Sequence, residues 1–208
     1  MDNEQDRLLQ YEESLFAKGF LRIAGVDEAG RGPLAGPVFA AACVIPRGLF
    51  FQGINDSKKL SSSEREGLFD QLTHHPDVFY GIGRADVALI DQINILQATF
   101  FAMRQAIEQL SLPPDYVLID GSLLPKPFPY RAQAVVRGDA QSQSIAAASI
   151  LAKVTRDAWM KEEDLRYPGY GFARHFGYGT PTHKTAIQTL GACPIHRKSF
   201  APFRKQLI

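Results

Sequence analysis

The sequence RIAGVDEAGRGP, residues 22–33, joins an apolar run to two adjacent acids and a Gly-Arg-Gly turn. The apolar part predicts a buried β-strand over 22–27, with Asp27 and Glu28 at its end. The glycines on either side of Arg31 predict a loop whose backbone a ligand can approach closely. Neighbouring strand residues face opposite sides of a sheet. We therefore expect the strand to end within about one residue of Asp27, so that both acids reach one site.

The rest of the chain predicts a mixed α/β sheet with helices on its flanks. Four further apolar segments have the character of strands: 36–45, 78–85, 116–121 and 131–136. Helical patterns occupy 1–20, 180–190 and the segments that begin at Ser61, Asp86 and Gly138. The link between the first two strands is short, which favours antiparallel pairing, whereas a helical crossover makes the first and fourth strands parallel neighbours. The prediction is a sheet of five strands.

The length of 208 residues suits one domain over 1–208, with about 180–208 as a small helical C-terminal extension. Cys43 and Cys193 form neither a disulfide framework nor a zinc motif, and Cys43 is predicted to be a core residue. No apolar stretch approaches the roughly 20 residues of a membrane span, and the charged first residues are unlike a signal peptide. We expect a cytoplasmic monomer without a membrane partner.

The charge distribution is uneven, although the net charge is only +1. After Asp164 the sequence has no acid, whereas basic residues continue: Arg166, Arg174, Lys184, Arg197, Lys198, Arg204 and Lys205. This C-terminal part predicts either a positive face that binds an anion or a solvated surface without a partner. The histidines of the same part, His175, His183 and His196, lack the spacing of metal ligands and are interpreted as surface or phosphate contacts.

Acids stand beside glycine at three places where an apolar strand ends or a helix begins: Asp27-Glu28, Asp120 and Asp139. The carboxyl ends of such strands form the usual ligand site of open α/β sheets. Four carboxylates at one edge repel each other unless cations neutralise them, and oxygen ligands without His or Cys favour Mg²⁺ or Mn²⁺. Two such ions about 4 Å apart suit phosphodiester hydrolysis, since one activates the attacking water and the other stabilises the leaving oxygen.

Two alternatives to this metal site stay open on spacing alone. A single Asp at the end of a strand is more often a turn or helix-cap residue than a ligand. Asp157 also competes with Asp139 for the fourth position, although Lys153 and Lys161 explain Asp157 adequately as a member of surface ion pairs.

The chain contains six motifs in this order: GVDEAGRGPLAGPV at 25–38, INDSKKLS at 54–61, VLIDG at 117–121, RGDAQSQSIAAASILAKVTRD at 137–157, GYGT at 177–180 and PIHRKSFAP at 194–202. Together these motifs resemble the bacterial ribonuclease HII family over nearly the whole chain. The resemblance implies a ribonuclease H-like fold, which is consistent with the predicted sheet.

The resemblance also implies roles for individual residues. It makes four acids the catalytic and metal-binding carboxylates for two Mg²⁺ or Mn²⁺ ions: Asp27, Glu28, Asp120 and Asp139. It makes Asp157 a bystander. It assigns the backbone of Gly30-Arg31-Gly32 to the 2′-hydroxyl of a ribonucleotide, Tyr178 to the sugar that follows and Lys58 to the substrate phosphates. Arg137 stands where lysine is common before Gly-Asp, a change that keeps the charge.

The activity implied by the resemblance is hydrolysis of the RNA strand of RNA–DNA hybrids. It includes nicking of duplex DNA on the 5′ side of an embedded ribonucleotide, with 3′-hydroxyl and 5′-phosphate products. A protein that binds hybrids without cutting is one alternative, against which the four acids argue because bare carboxylates repel phosphate. A metal-dependent DNA nuclease is another, against which the Gly-Arg-Gly loop argues because the 2′-hydroxyl distinguishes RNA from DNA.

Overall fold

The computed structural model describes residues 4–55 and 60–203, which form a five-stranded mixed sheet with helices on both faces. The strands are β1 (Ile23–Ala29), β2 (Val38–Val44), β3 (Phe79–Ala85), β4 (Tyr116–Asp120) and β5 (Ala132–Val135). Their order across the sheet is β3-β2-β1-β4-β5. The helices are α1 (Glu4–Phe16), α2 (Ser62–His74), α3 (Val87–Glu108), α4 (Gln143–Arg166), α5 (Phe172–His175) and α6 (Pro181–Leu190). The predicted fold class is thus confirmed.

The central strand β1 has a different neighbour on each side. It pairs antiparallel with β2 from Ala24 to Ala29, and parallel with β4 from Ile23 to Val26. Both pairings agree with the sequence prediction. The expectation that β1 ends near Asp27 is wrong, because pairing with β2 continues through Ala29 opposite Phe39. Only the pairing with β4 stops before the acids.

Helices α3 and α4 cover opposite faces of the sheet and lie unusually close to it. A methyl group on Gly25 of β1 would stand 2.0 Å from the carbonyl carbon of Ser144, so α4 can pack this closely only against glycine. Gly83 of β3 has the same role toward α3, since a methyl group there would lie 1.9 Å from the carbonyl oxygen of Ala102. Each face of the sheet carries its own apolar core, one under α3 and one under α4. Cys43 is fully buried in the core under α4.

Helix ends deserve two corrections to the sequence prediction. Gly138 does not open the long helix: residues Gly138–Ala140 form a separate 3₁₀ turn, and α4 begins after Ser142, whose hydroxyl accepts from the Ile145 amide. Asp86 stands at the N-cap of α3 but makes no side-chain capping bond, and it pairs with Arg84 instead. By contrast, the Ser61 cap of α2 is a full capping box.

The C-terminal segment returns to the loop after β1. Helix α6 begins after the capping Thr180, as predicted, and ends before Gly191. The following chain then bonds to the 33–36 region, where Gly36 donates to the Ile195 carbonyl and Arg197 donates to that of Leu34. Across the described residues, no helix is long and apolar enough to cross a membrane.

Candidate active site

A cleft of about 200 Å³ lies at the end of β1. Its lining combines the acid pair Asp27-Glu28 with the loop Gly30-Arg31-Gly32 and with Tyr178. Tyr178 is far from the other residues in sequence, and the fold brings it into the same cleft. Ser149, Lys153 and Arg156 of α4 complete the lining.

Both acids reach this cleft although they occupy successive positions of a regular strand. Beyond Val26 the β4 side of β1 is open, because the last parallel pair joins Val26 to Ile119. At an open sheet edge, side chains from either face can approach the same space. The Asp27 side chain is only 5% exposed and is hydrogen-bonded to Ser149 of α4. The Glu28 carboxylate points to the loop and forms an ion pair with Arg31 at 3.4 Å.

The electrostatic environment of Asp27 opposes its ionisation. Burial first, and then the negative charges of Glu28 and Asp120, raise the pKa of the Asp27 carboxyl well above its usual range. Hydrogen bonds from Ser149 and from the Glu28 amide, the latter 2.7 Å long, act in the opposite direction. A cation bound here would remove this repulsion.

Asp120 and Asp139 do not line the cleft, although Asp120 is near enough for its charge to act on the Asp27 carboxyl. Asp120 ends β4 one position after the Val26–Ile119 pair, and its Oδ1 accepts from the Gly138 amide at 2.6 Å. That bond ties β4 to the 3₁₀ turn, in which Asp139 is 5% exposed. Within residues 4–55 and 60–203, no three acidic, His or Cys side chains lie close enough to form a complete metal site by themselves.

The Gly-Arg-Gly loop requires its first glycine for two reasons. Gly30 has φ of 100°, which other residues rarely adopt, and a methyl group there would lie 2.1 Å from Arg156 Nε. Gly32 faces Tyr178 across the cleft, since a methyl group on Gly32 would lie 3.7 Å from the tyrosine ring. The loop and the ring are therefore opposite walls of one narrow space.

Two buried arginines hold this loop and the residues that follow it, and sequence reasoning missed both. Arg156 donates to the carbonyl oxygens of Ala35 and Pro37, and Arg197 donates to that of Gly30. Each is 0% exposed. The interpretation of the C-terminal basic residues as one anion-binding or solvated face is therefore wrong for Arg197, whose charge is used inside the protein.

Asp157 and the lysines near the cleft agree with the sequence prediction only in part. Asp157 pairs with Lys153 at 2.8 Å, in agreement with its interpretation as an ion-pair member, although Lys161 pairs with Glu66 instead. Lys58 lies outside the described residues. Lys153 also lines the cleft, a role that the sequence analysis did not assign. Its spacing from Ser149 and Arg156 by four and three residues puts all three on one helix face, which is the signal that could have indicated them.

The interpretation of the histidines as surface or phosphate contacts is wrong for two of them. His183 is 0% exposed and His196 is 1% exposed, and their Nε2 atoms lie 3.0 Å apart. His175 stacks on His183 with ring centres 4.5 Å apart. All three rings lie against Phe172, which belongs to a buried apolar cluster.

The family model that describes ribonuclease HII matches residues 24–203. Ribonuclease HII of Chlamydia caviae is 55% identical over 195 residues, which cover 94% of this chain and 91% of that protein. Ribonuclease HII of Geobacillus kaustophilus is 52% identical over 207 residues, which cover 100% and 78% respectively. The crystal structure of ribonuclease H2 from Pyrococcus horikoshii superposes with a TM-score of 0.73 at 30% identity, over 89% of this chain and 96% of that one. With its fold, its acid-lined cleft and this similarity along nearly its whole length, the chain belongs to the ribonuclease HII family and is a nuclease of the ribonuclease H type.

Proposed function

We propose that this nuclease hydrolyses the RNA strand of RNA–DNA hybrids and nicks duplex DNA on the 5′ side of an embedded ribonucleotide. The products would carry a 3′-hydroxyl and a 5′-phosphate. The observation that carries the proposal is a single cleft that contains the acid pair, the Gly-Arg-Gly loop and Tyr178. The cleft thus joins groups suited to phosphodiester chemistry with backbone that can touch a sugar.

The four acids are proposed to hold two divalent ions, Mg²⁺ or Mn²⁺. The carboxylates of Asp27, Glu28 and Asp120 are close enough for their charges to raise the pKa of Asp27, and Asp139 follows the Gly138 amide that binds Asp120. Such hard oxygen donors fit these ions better than zinc. When bound, the ions would stabilise charge on the phosphoryl oxygens and make water more acidic. The acids of the chain position them.

Selection of the ribonucleotide is proposed to lie with the two walls of the cleft. The close approach of a sugar to the Gly30–Gly32 backbone would allow main-chain groups to bond to the 2′-hydroxyl, which DNA lacks. Tyr178, whose residue is 45% exposed, can stack on the next sugar. Lys153 Nζ stands over the Phe176 ring at 4.9 Å and supplies a positive charge at the cleft for phosphate.

The chain is further proposed to act as a single-domain monomer in the cytoplasm. Its two cysteines, Cys43 and Cys193, are buried free thiols, which agrees with a reducing compartment.

One assay tests the proposed function against its alternatives. The full chain is incubated with Mg²⁺ and a DNA duplex that contains one ribonucleotide, beside an all-DNA duplex of the same sequence. Nicking of the first alone supports the proposal, nicking of both supports a general nuclease, and binding without nicking supports a hybrid-binding protein. Asp120→Asn should fold yet cut at least about 100-fold more slowly, because a metal ligand is lost. Asp77→Asn, at an exposed acid outside the cleft, is the matched control and should remain within a few-fold of the wild-type rate.

A further inference from the structure

The Tyr178 wall rests on a buried pair of histidines. His183 Nδ1 lies 2.9 Å from the carbonyl oxygen of Tyr178, and its Nε2 lies 3.0 Å from Nε2 of His196. On the far side, His196 Nδ1 lies 2.9 Å from the Cys193 amide nitrogen and 3.1 Å from the Cys193 Sγ. The Cys193 carbonyl oxygen is farther away, at 3.3 Å, and already accepts from the His196 amide. Three hydrogen bonds in a row therefore connect the backbone of residue 193 to the backbone of residue 178.

The two ends of this row determine where the protons are. A carbonyl oxygen can only accept, so Nδ1 of His183 carries a proton and its Nε2 is an acceptor. An amide N–H can only donate, so Nδ1 of His196 is the acceptor for Cys193 and Nε2 of His196 carries the proton. His196 then donates to His183. A single arrangement of two neutral rings satisfies all three bonds.

The surroundings keep both rings neutral. Burial lowers the pKa of His183. Burial and, to a smaller extent, the neighbouring His183 ring lower the pKa of His196 to about 4. A proton added to either ring would set two N–H groups against each other. The titratable and charged groups around the pair are His175, Tyr170, Tyr178, Cys193, Glu163 and Arg197. The row of bonds is therefore intact at neutral pH.

The segment that carries His196 also holds the opposite wall. Arg197 donates to the carbonyl oxygens of Gly30, Arg31 and Pro33 over 2.6, 3.0 and 2.8 Å. Its Nε donates to Gly36 over 2.8 Å. Successive residues of one segment thus bond to the Gly-Arg-Gly loop directly and to Tyr178 through His183.

We propose that the His183–His196 pair positions Tyr178 against the Gly-Arg-Gly loop and so sets the width of the substrate-reading cleft. Other bonds hold the residues just before Tyr178: Arg156 donates to Phe176, and Leu34 donates to Gly177. The histidine pair acts on Tyr178 itself, whose carbonyl it shares with the Thr180 amide and whose amide donates to the His175 carbonyl. This inference rests on the proposed function of Tyr178 as a reader of the junction.

The proton arrangement is tested first, without any substrate. The full chain is labelled with ¹⁵N in histidine, and long-range ¹H–¹⁵N spectra are recorded at neutral pH and at pH 5. We expect His183 as the Nδ1–H tautomer and His196 as the Nε2–H tautomer at neutral pH, with His196 unchanged at pH 5. The opposite tautomer at either residue, or titration of either ring near pH 6.5, would overturn the proposal. This readout does not depend on nuclease activity, so it stands even if the proposed function fails.

The positioning role is tested by a double-mutant cycle with Tyr178. In His196→Asn, the amide oxygen can still accept from the Cys193 N–H, but the side chain is too short to reach His183. With the single-ribonucleotide duplex we expect KM to rise about tenfold, the effect of one lost hydrogen bond, while kcat changes by less than about twofold. In the Tyr178→Ala background the same change should raise KM by less than about twofold, because the positioned ring is already gone.

Substitutions of His183 test the same pair from its other side, again through the change in KM. His183→Asn keeps a donor for the Tyr178 carbonyl but loses the bond to His196, so it should raise KM as much as His196→Asn does, whereas His183→Ala loses both bonds and should raise KM at least as much. Melting temperatures of all variants separate unfolding from misplacement of Tyr178. Equal KM increases for His196→Asn with and without Tyr178 would overturn the proposal, as would a loss confined to kcat.

Discussion

Asp27→Asn should make the metal-free protein more stable while it destroys activity. The Asp27 carboxyl is almost fully buried beside Glu28 and near Asp120, and this burial and like charge raise its pKa. Asparagine keeps the shape and can still accept from the Glu28 amide, which lies 2.7 Å from Asp27 Oδ1. Its NH₂ group can donate to Ser149. The substitution therefore removes a charge and leaves the packing and hydrogen bonds in place.

The size of the effect follows from the charges that Asp27 faces. Two unit charges about 5 Å apart repel by about 3 kcal/mol at an effective dielectric constant of about 20. Because partial protonation already relieves some of this repulsion, we expect the free energy of unfolding to rise by about 1–3 kcal/mol. For a chain of 208 residues this corresponds to an increase in Tm of about 3–10 °C.

Thermal unfolding in EDTA and in Mg²⁺ measures both halves of the prediction. In EDTA the variant should melt above the wild type. In Mg²⁺ at about 100 times its Kd, the wild type should gain about 2.7 kcal/mol and the variant much less, because the variant has lost a ligand. Asp157→Asn, which loses an ion pair with Lys153, is the control and should melt slightly lower while it keeps the full gain from Mg²⁺. A variant less stable than wild type in EDTA, or equally stabilised by Mg²⁺, would refute the reasoning.

Two further predictions concern the stability of regions outside the cleft. Gly25→Ala should destabilise the protein by about 3 kcal/mol or more, since the new methyl group meets the Ser144 backbone at 2.0 Å. Gly67→Ala, in an exposed turn of α2 with no atom in the way, should instead stabilise it by about 0.5–1 kcal/mol, and urea denaturation compares the two. Burial raises the pKa of Glu12, so the folded state loses stability as pH rises above the usual carboxyl range. Glu12→Gln should therefore be clearly more stable than wild type at pH 8 and nearly equal to it at pH 4; a constant difference in urea midpoint would contradict this.

The sheet could be predicted from sequence because its signals are local. Each apolar run is bounded by turn residues, and the length of the links determines which strands pair parallel or antiparallel. The end of β1 could not be predicted in the same way. Its apolar pattern stops at Val26, but its pairing continues to Ala29 because β2 supplies Phe39 as the partner opposite Ala29. The residue at which a strand ends depends on the strand that pairs with it, and the strand's own sequence does not specify that partner.

The buried polar groups under the cleft could not be predicted for a related reason. Arg197 reads as part of a basic tail, yet its guanidinium bonds to carbonyl oxygens 161 to 167 residues earlier in the chain. His183 and His196 have no ligand spacing, yet they bond to each other inside the fold. A polar side chain is stable inside a protein only when its partners are present, and here the partners are backbone atoms of distant loops. Residue types alone carry no record of such partners.

The Gly-Arg-Gly loop is held by more buried hydrogen bonds than the Tyr178 ring, and this difference determines which wall can change without unfolding the protein. Arg197 holds the Gly-Arg-Gly loop, and Arg156 holds the residues after it, Ala35 and Pro37. Both arginines are fully buried, so moving this segment would leave several charged donors and carbonyl oxygens without partners. Tyr178 is 45% exposed, and its ring faces Gly32 across the cleft. Within residues 4–55 and 60–203, the ring makes no buried hydrogen bond that a substitution would break. Preference among ribonucleotide-containing substrates should therefore be altered through the Tyr178 ring with little loss of stability, whereas changes at Arg197 should unfold the protein before they alter its selectivity.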